Sequence, residues 1–222
     1  MAGHQLPQPT ELGAKLGQNV RHLLKLFGAY APRVGPLIQT WLEKQLESAE
    51  ANLVKAIEDG DIDQIDNTNF DYLVPNVYSY MEAARSGEHI HNLRILAEIL
   101  VSGYSKIEQA PFAVRNAAKR LSGMSVRDLE LLTICHRSFL RSKNDPIREK
   151  LRSDWPDWTC VDYFRDELGN GSESTVRNAL SEFLVRGFLS VDLQPNTFGG
   201  NGYYKTPYFE EVILAAQNIS KS

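Results

Sequence analysis

Residues 159–207 decide the fold, and they read TCVDYFRDELGNGSESTVRNALSEFLVRGFLSVDLQPNTFGGNGYYKTP. Apolar side chains recur there at intervals of three and four residues in two short runs, which is the spacing of one helical face. The first run is Val161, Phe164 and Leu168, and the second begins at Val176. A Gly-Asn-Gly sequence at 169–171 separates the runs, because glycine and asparagine tolerate the left-handed backbone that ends helices. The stretch therefore predicts two short helices joined by a tight turn.

Signals at the ends of these helices support the same interpretation. Thr159 and Asp162 have the spacing of a capping box, and Ser172 or Ser174 can cap the second helix. Gly187 stands where that helix is expected to end. Residues 188–193 then alternate like a half-buried strand, 196–202 form a turn rich in glycine and asparagine, and 203–206 are a β-prone return strand. The prediction is helix, turn, helix and β-hairpin.

This order resembles the winged-helix domain of bacterial transcriptional regulators. The resemblance covers residues 124–210, and its most specific part is Ser174-Thr175-Val176-Arg177-Asn178-Ala179-Leu180 followed by Arg186-Gly187-Phe188-Leu189, which is similar to the "S-T-V-x-x-A-L … R-G-L-I" rhythm of those regulators. The linker before Thr159 is longer than usual and carries Trp155-Pro156-Asp157-Trp158; a short extra helix at 146–152 is predicted to fill it. The resemblance implies a domain that binds duplex DNA.

If the second helix enters a major groove, its first turn and its outward face meet the DNA. Arginine is suited to reading guanine and asparagine to reading adenine, while hydroxyl groups bind phosphate. The predicted contacts are Ser174, Thr175, Arg177, Asn178 and Ser181, with Arg186 and Lys205 reaching flanking backbone and Tyr203 packing against a sugar. Glu173 and Glu182 would oppose the approach of phosphate if they lie on the same side.

Charge favours a second interpretation. The chain of 222 residues has 24 basic and 28 acidic residues, and 12 of the basic and 14 of the acidic residues fall on each side of a division after Gly123. A balance of −2 in each half argues against strong non-specific binding to nucleic acid. The alternative to DNA binding is therefore a winged helix used as a protein-interaction or assembly module.

The first half of the chain is predicted to be a helical bundle over residues 11–123, which dimerises or senses a signal. An apolar stripe runs from Leu12 to Phe27, residues 37–58 follow a near-heptad pattern, and residues 88–104 form the clearest single helix. The stripe carries basic residues and no acid, which a helix on an anionic membrane surface would also show; a bundle or dimer helix is preferred. Residues 122–125 mark the boundary, and Ser125 with Asp128 forms a capping box for the next helix.

No cofactor or metal is expected. Asp59, Asp61 and Asp63 have the spacing of calcium ligands, but Gln64 replaces the glycine of such a loop and Phe70 the final ligand. Neighbours such as Cys135 and His136 diverge by about 100° on a helix, and His89 and His91 should diverge as well. No phosphate-binding loop, nucleophile elbow or metal helix occurs, so a non-enzymatic function is expected.

Cys135 and Cys160 are the only cysteines, which fits a reducing cytoplasm. No stretch approaches the roughly 18 apolar residues of a membrane span, and the first residues lack the apolar core of a signal peptide. The sequence thus predicts a cytoplasmic, mostly α protein: a disordered tail at 1–10, a helical bundle at 11–123, and a winged helix with a small β-hairpin at 124–218. We expect a DNA-binding transcriptional regulator that acts as a homodimer.

Overall fold

The computed structural model describes residues 36–59, 70–104, 113–143, 158–159, 161–169, 171–191 and 203–219. Within these ranges the chain is mostly helical and has a small antiparallel sheet. The elements are α1 (Pro36–Asp59), α2 (Phe70–Arg85), α3 (Ile90–Tyr104), α4 (Ala113–Leu121), α5 (Val126–Lys143), β1 (Trp158–Thr159), α6 (Val161–Glu167), α7 (Glu173–Val185), β2 (Leu189–Val191), β3 (Tyr203–Lys205) and α8 (Pro207–Ile219).

Two compact units divide the chain. Unit 1 comprises Met1–Gly123 with Gln217–Ser222, and unit 2 comprises Met124–Ala216. The predictions for the tail at 1–10, the stripe at 12–27, the acidic residues at 60–69, the extra helix at 146–152, Cys160 and the turn at 196–202 lie outside the described residues.

Unit 1 is built from α1 to α4. Helix α1 packs on α2 and α3, and α4 packs on α2 and α3. Ala49, Leu53 and Ile57 lie four residues apart on α1 and are all buried, so one stripe of this helix faces the core. The Tyr80 hydroxyl of α2 donates to the Ala49 carbonyl at 2.8 Å, and burial raises the pKa of this phenol.

Buried polar side chains tie α2 to α4 at both ends. At one end, Asn76 Oδ1 accepts from the Val114 amide at 2.9 Å, which satisfies a donor in the first turn of α4, while its Nδ2 donates to the Tyr72 carbonyl at 2.8 Å. At the other end, Glu88 Oε1 accepts from the Gly123 amide at 3.3 Å and from Asn92 Nδ2 at 2.7 Å. Asn76 bonds Val114 near the start of α4, and Glu88 bonds Gly123 after its end. The two helices therefore run side by side in the same direction.

Unit 2 begins with α5, whose start is the predicted capping box. The amide and hydroxyl of Ser125 both donate to Asp128 Oδ2 at 2.8 Å, and the Asp128 amide donates back to Ser125 Oγ at 3.2 Å. Helix α5 packs on α6, α7 and β1, and α6 packs on α7. The largest fully buried side chains of this unit are Phe139, Phe164, Phe183, Phe188 and Phe209.

The sheet has the order β1-β3-β2, with both pairings antiparallel. Tyr203 lies opposite Thr159 of β1 and Val191 of β2. The hairpin of β2 and β3 was predicted, but β1 was not: the sequence interpretation left Trp158 in the linker and used Thr159 only as a helix cap. A strand of two residues carries too short a pattern to be recognised, and its pairing with β3 spans more than forty residues of sequence.

The end of α7 directs the chain into β2. Gly187 has a φ of 73°, and its amide donates to the Leu184 carbonyl at 2.9 Å while the Phe188 amide donates to the Phe183 carbonyl at 2.9 Å. This is the Schellman arrangement, and the Phe183 and Phe188 rings meet edge to face at 6.4 Å as its hydrophobic contact. The Thr206 hydroxyl, just after β3, bonds the Gly187 carbonyl at 2.8 Å.

Tyr72 and Gly103 provide a test of the packing in unit 1. The Tyr72 hydroxyl donates to the Leu100 carbonyl at 3.0 Å, and a Cβ atom on Gly103 would lie 2.0 Å from that hydroxyl oxygen. Alanine is the better helix former, yet we expect Gly103→Ala to lower the free energy of unfolding by about 1–3 kcal/mol through overpacking. Tyr72→Phe removes the clashing oxygen, so the double variant should lose less than the sum of the single variants.

Urea unfolding of the four proteins followed by circular dichroism measures both effects. A Gly103→Ala variant as stable as the parent chain, or losses that add fully, would show that the Tyr72 ring does not occupy this position.

Candidate nucleic-acid interface

Helix α7 divides into a buried face and an outward ridge. Ser172 caps the helix by accepting the Thr175 amide at 3.2 Å. Val176, Ala179, Leu180 and Phe183 are buried, and at about 100° per residue they share one face. The opposite line along the helix consists of Ser174, Asn178, Ser181 and Val185, all exposed. We call these four residues the α7 ridge.

The ridge is uncharged, and it includes a residue that the sequence interpretation missed. Val185 leaves 84% of its surface in solvent, the largest exposure among the large apolar residues that the structure describes. Its position gave a signal, since it stands outside the apolar stripe of α7 and four residues after Ser181. Ser174 lies within 3.0 Å of the Ser172 hydroxyl and Thr175 within 2.7 Å, so hydroxyl groups crowd the first turn.

An ion pair lies on each flank of the ridge. Arg177 bonds Glu173 at 2.7 Å on one side, and Arg186 bonds Glu182 at 2.6 Å on the other. Both pairs link residues four apart. The Arg177 pair is exposed, and such a pair contributes about 0.3–0.5 kcal/mol, whereas the Arg186 side chain is only 20% exposed. Arg177 can therefore leave its partner at small cost, but each carboxylate remains beside the ridge. Glu173 and Glu182 thus lie on opposite flanks of the ridge, and their conflict with an approaching phosphate stays a prediction.

Two of the predicted contacts, Tyr203 and Lys205, face inward, which contradicts their predicted contact with DNA. Tyr203 is 7% exposed and belongs to the core of the sheet; burial raises the pKa of its phenol, against the opposing effect of the Arg177 charge. The Lys205 side chain is 10% exposed, pairs with Glu210 and lies over the Phe139 ring at 5.6 Å. The alternation of a three-residue strand, with the neighbouring β1 unrecognised, gave no means of telling which side of β3 was covered.

Histidine and cysteine form no metal site in the part of the chain that the structure describes. Cys135 is fully buried, which raises its thiol pKa. His136, on the next position of α5, is half-buried, and its ring centroid lies 6.0 Å from that of Phe209. His89 and His91 do not diverge: their rings stack at 5.2 Å, because α3 begins at Ile90 and His89 precedes it. The prediction for this pair was wrong since it assumed a helix over both residues.

No protein-family model, no curated protein and no solved structure matches this chain. No helix in the described ranges combines the length and apolarity needed to cross a bilayer. The function must therefore be inferred from the site itself.

The environment of His136 predicts a dependence of stability on pH. Burial lowers the pKa of its imidazole, the Glu210 charge opposes this and the Lys205 charge adds to it. The unfolded chain then binds a proton at this residue more readily than the folded chain, so acidification favours unfolding. Between about pH 7.5 and pH 5.5, around the ordinary histidine pKa, the parent chain should lose more stability than a His136→Gln variant. Urea unfolding at several pH values measures this difference; a difference that stays constant or changes sign would contradict the assignment.

Proposed function

We propose that unit 2 is a winged helix that binds duplex DNA through α7, and that the chain is a transcriptional regulator. The observation that carries this proposal is the α7 ridge, whose Ser174, Asn178 and Ser181 project polar groups away from the core along one line. The order of elements from α5 to β3 and the sheet order β1-β3-β2 support the winged helix. In such domains the second helix of the helix-turn-helix lies in the major groove.

The chemistry of the ridge suits base edges. An asparagine amide can pair with adenine in two hydrogen bonds, and hydroxyl groups bind either bases or phosphates. Arg177 is exposed beside Asn178, and a guanine or a phosphate can replace its weak bond to Glu173. The surviving contact set is Ser174, Thr175, Arg177, Asn178, Ser181 and Arg186, since Tyr203 and Lys205 face inward.

One such helix makes few contacts, so specific binding requires a second copy. We propose a homodimer that places two α7 helices about 34 Å apart, one turn of DNA. Unit 1, a set of packed helices, is the part of the chain that we assign to dimerisation or to sensing a signal. The net negative charge of the chain and the ion pairs of its arginines weaken non-specific attraction to DNA. Binding should therefore depend mainly on specific contacts.

A pair of opposite substitutions tests this proposal. Arg177→Ala should weaken binding to DNA by roughly tenfold or more, since a base or phosphate contact is lost. Glu173→Gln should strengthen it, because the change releases Arg177 and removes a charge that repels phosphate. Fluorescence anisotropy with mixed genomic duplexes at low and physiological salt measures both, and affinity should fall as salt rises. Arg137→Ala is the matched control, because it removes the same charge from an exposed position of α5.

The melting temperature of Arg177→Ala should equal that of the parent chain, because only an exposed pair is broken. A variant that unfolds would make Arg177 a structural residue. An absence of binding at both salt concentrations, or an affinity that ignores salt, would exclude DNA as the partner.

Val185 favours a second candidate, a protein partner docked on α7. An apolar side chain exposed to this extent contributes most when a neighbouring protein covers it, and the paired flanks suit a polar rim. The first partner to test is a second copy of the chain. Sedimentation equilibrium should then show that Val185→Asp weakens self-association while Arg137→Ala does not. If Val185→Asp does not weaken self-association and the chain binds DNA in a salt-dependent way, α7 binds DNA and not a second copy of the chain.

A further inference from the structure

Unit 1 contains a cleft of about 730 Å³ between α2 and α4. Its α2 wall carries Val74, Tyr78 and Glu82, which lie four residues apart on one face, with Pro75 beside them; its α4 wall carries Arg115 and Lys119, also four apart. A volume of this order matches the sites of small organic ligands. We refer to it as the α2–α4 cleft.

The walls of the cleft are held in place. Asn76 bonds the start of α4 and Glu88 bonds the residue two positions after its end, and both side chains are buried. A site that is fixed before its ligand arrives loses little conformational entropy on binding. The two serine hydroxyl groups on this side of the cleft are already engaged, Ser79 with the Pro75 carbonyl and Ser86 with the Ala83 carbonyl, both at 2.8 Å. This wall therefore offers mainly apolar surface, including Tyr78, which is 48% exposed.

The two polar bonds also fix the register of the walls. Since Val114 lies beside Asn76 and the helices rise equally, Arg115 stands near the apolar end of the cleft formed by Val74, Pro75 and Tyr78. Lys119 stands one turn further, toward Glu82. The cleft thus has an apolar end next to a guanidinium group.

The positive charges on the α4 wall of the cleft are not neutralised by its carboxylates. Glu82 is paired with Arg85 at 2.9 Å, and Glu88 accepts three N–H groups, from His89, Asn92 and Gly123. Arg115 and Lys119 are exposed, and neither has a carboxylate partner among the residues that the structure describes. Lys119 lies in the last turn of α4, where the helix dipole favours a cation, but Arg115 lies in the first turn, where the dipole disfavours one. The helix dipole therefore stabilises the positive charge of Lys119 but does not stabilise that of Arg115.

We propose that the α2–α4 cleft binds an amphipathic organic anion, with Arg115 holding its carboxylate or sulfonate group and Tyr78, Val74 and Pro75 covering its apolar part. Lys119 adds to the attraction from one turn along α4. A guanidinium group pairs with a carboxylate through two parallel hydrogen bonds, and the apolar end supplies the remaining contact. This inference is independent of the proposed DNA binding, since it concerns unit 1 alone.

The full-length chain is tested with two anions, anilinonaphthalene sulfonate and decanoate. The fluorescence of the first should rise on binding, and decanoate should displace it while decanol, its neutral counterpart, should do so poorly. Arg115→Ala should weaken decanoate binding about tenfold or more, because it removes both charge-assisted hydrogen bonds to the carboxylate. Tyr78→Ala should weaken it as well, because it removes apolar surface from the cleft.

Two controls separate the cleft from the rest of the surface. Arg94→Ala removes an exposed cation of α3 that does not line the cleft, and Leu214→Ser removes an exposed apolar residue of unit 2. Both should bind decanoate as the parent chain does, and all four variants should melt at the parent temperature. An unchanged affinity in Arg115→Ala, equal losses in Arg115→Ala and Arg94→Ala, or equal displacement by decanol would overturn the proposal.

Discussion

The burial of Val176, Ala179, Leu180 and Phe183 is the constraint on which the candidate interface depends. Full burial of a large apolar side chain contributes about 1.5–3 kcal/mol, so this stripe fixes the rotation of α7 far more firmly than its surface charges do. The exposed ion pair of Arg177 with Glu173 contributes less than about 1 kcal/mol. The exposed face of α7 is thus fixed in position, while the charged side chains beside it can change partners. A partner meets the same ridge whatever the arginines are bonded to.

Much of this local structure follows from the sequence because its causes are local. The capping box at Ser125, the cap at Ser172 and the left-handed backbone of Gly187 each involve residues within four or five positions of one another. The helical runs of α3, α5 and α7 are similarly set by spacing. The strand β1 and the burial of Tyr203 depend on a pairing between distant segments, and no spacing rule reports it. The spacing of Glu173 and Glu182 to the arginines predicts ion pairs. Their position beside the ridge could not be predicted, because it depends on which face of α7 is buried.

Unit 1 shows a different limit of sequence interpretation. Its apolar stripes indicate helices, yet the way in which α2 and α4 lie together depends on Asn76, Glu88 and Asn92, three polar residues that have left solvent. A buried polar group requires a partner, and each of these bonds backbone or side-chain groups on another segment. Such residues look like surface residues in a sequence. These residues link the walls of the cleft, and because their bonds join distant segments, the place of the cleft could not be predicted from the sequence.

Trp41 gives the molecule an optical property of its own. It is half exposed and touches Gly87, the residue that joins α2 to the approach of α3, so that a Cβ atom there would lie 2.9 Å from its ring. The other two tryptophans, Trp155 and Trp158, both belong to unit 2. In a chain that keeps only Trp41, all tryptophan emission thus originates in unit 1. The emission wavelength then reports the unfolding of unit 1, and unit 2 contributes no tryptophan signal.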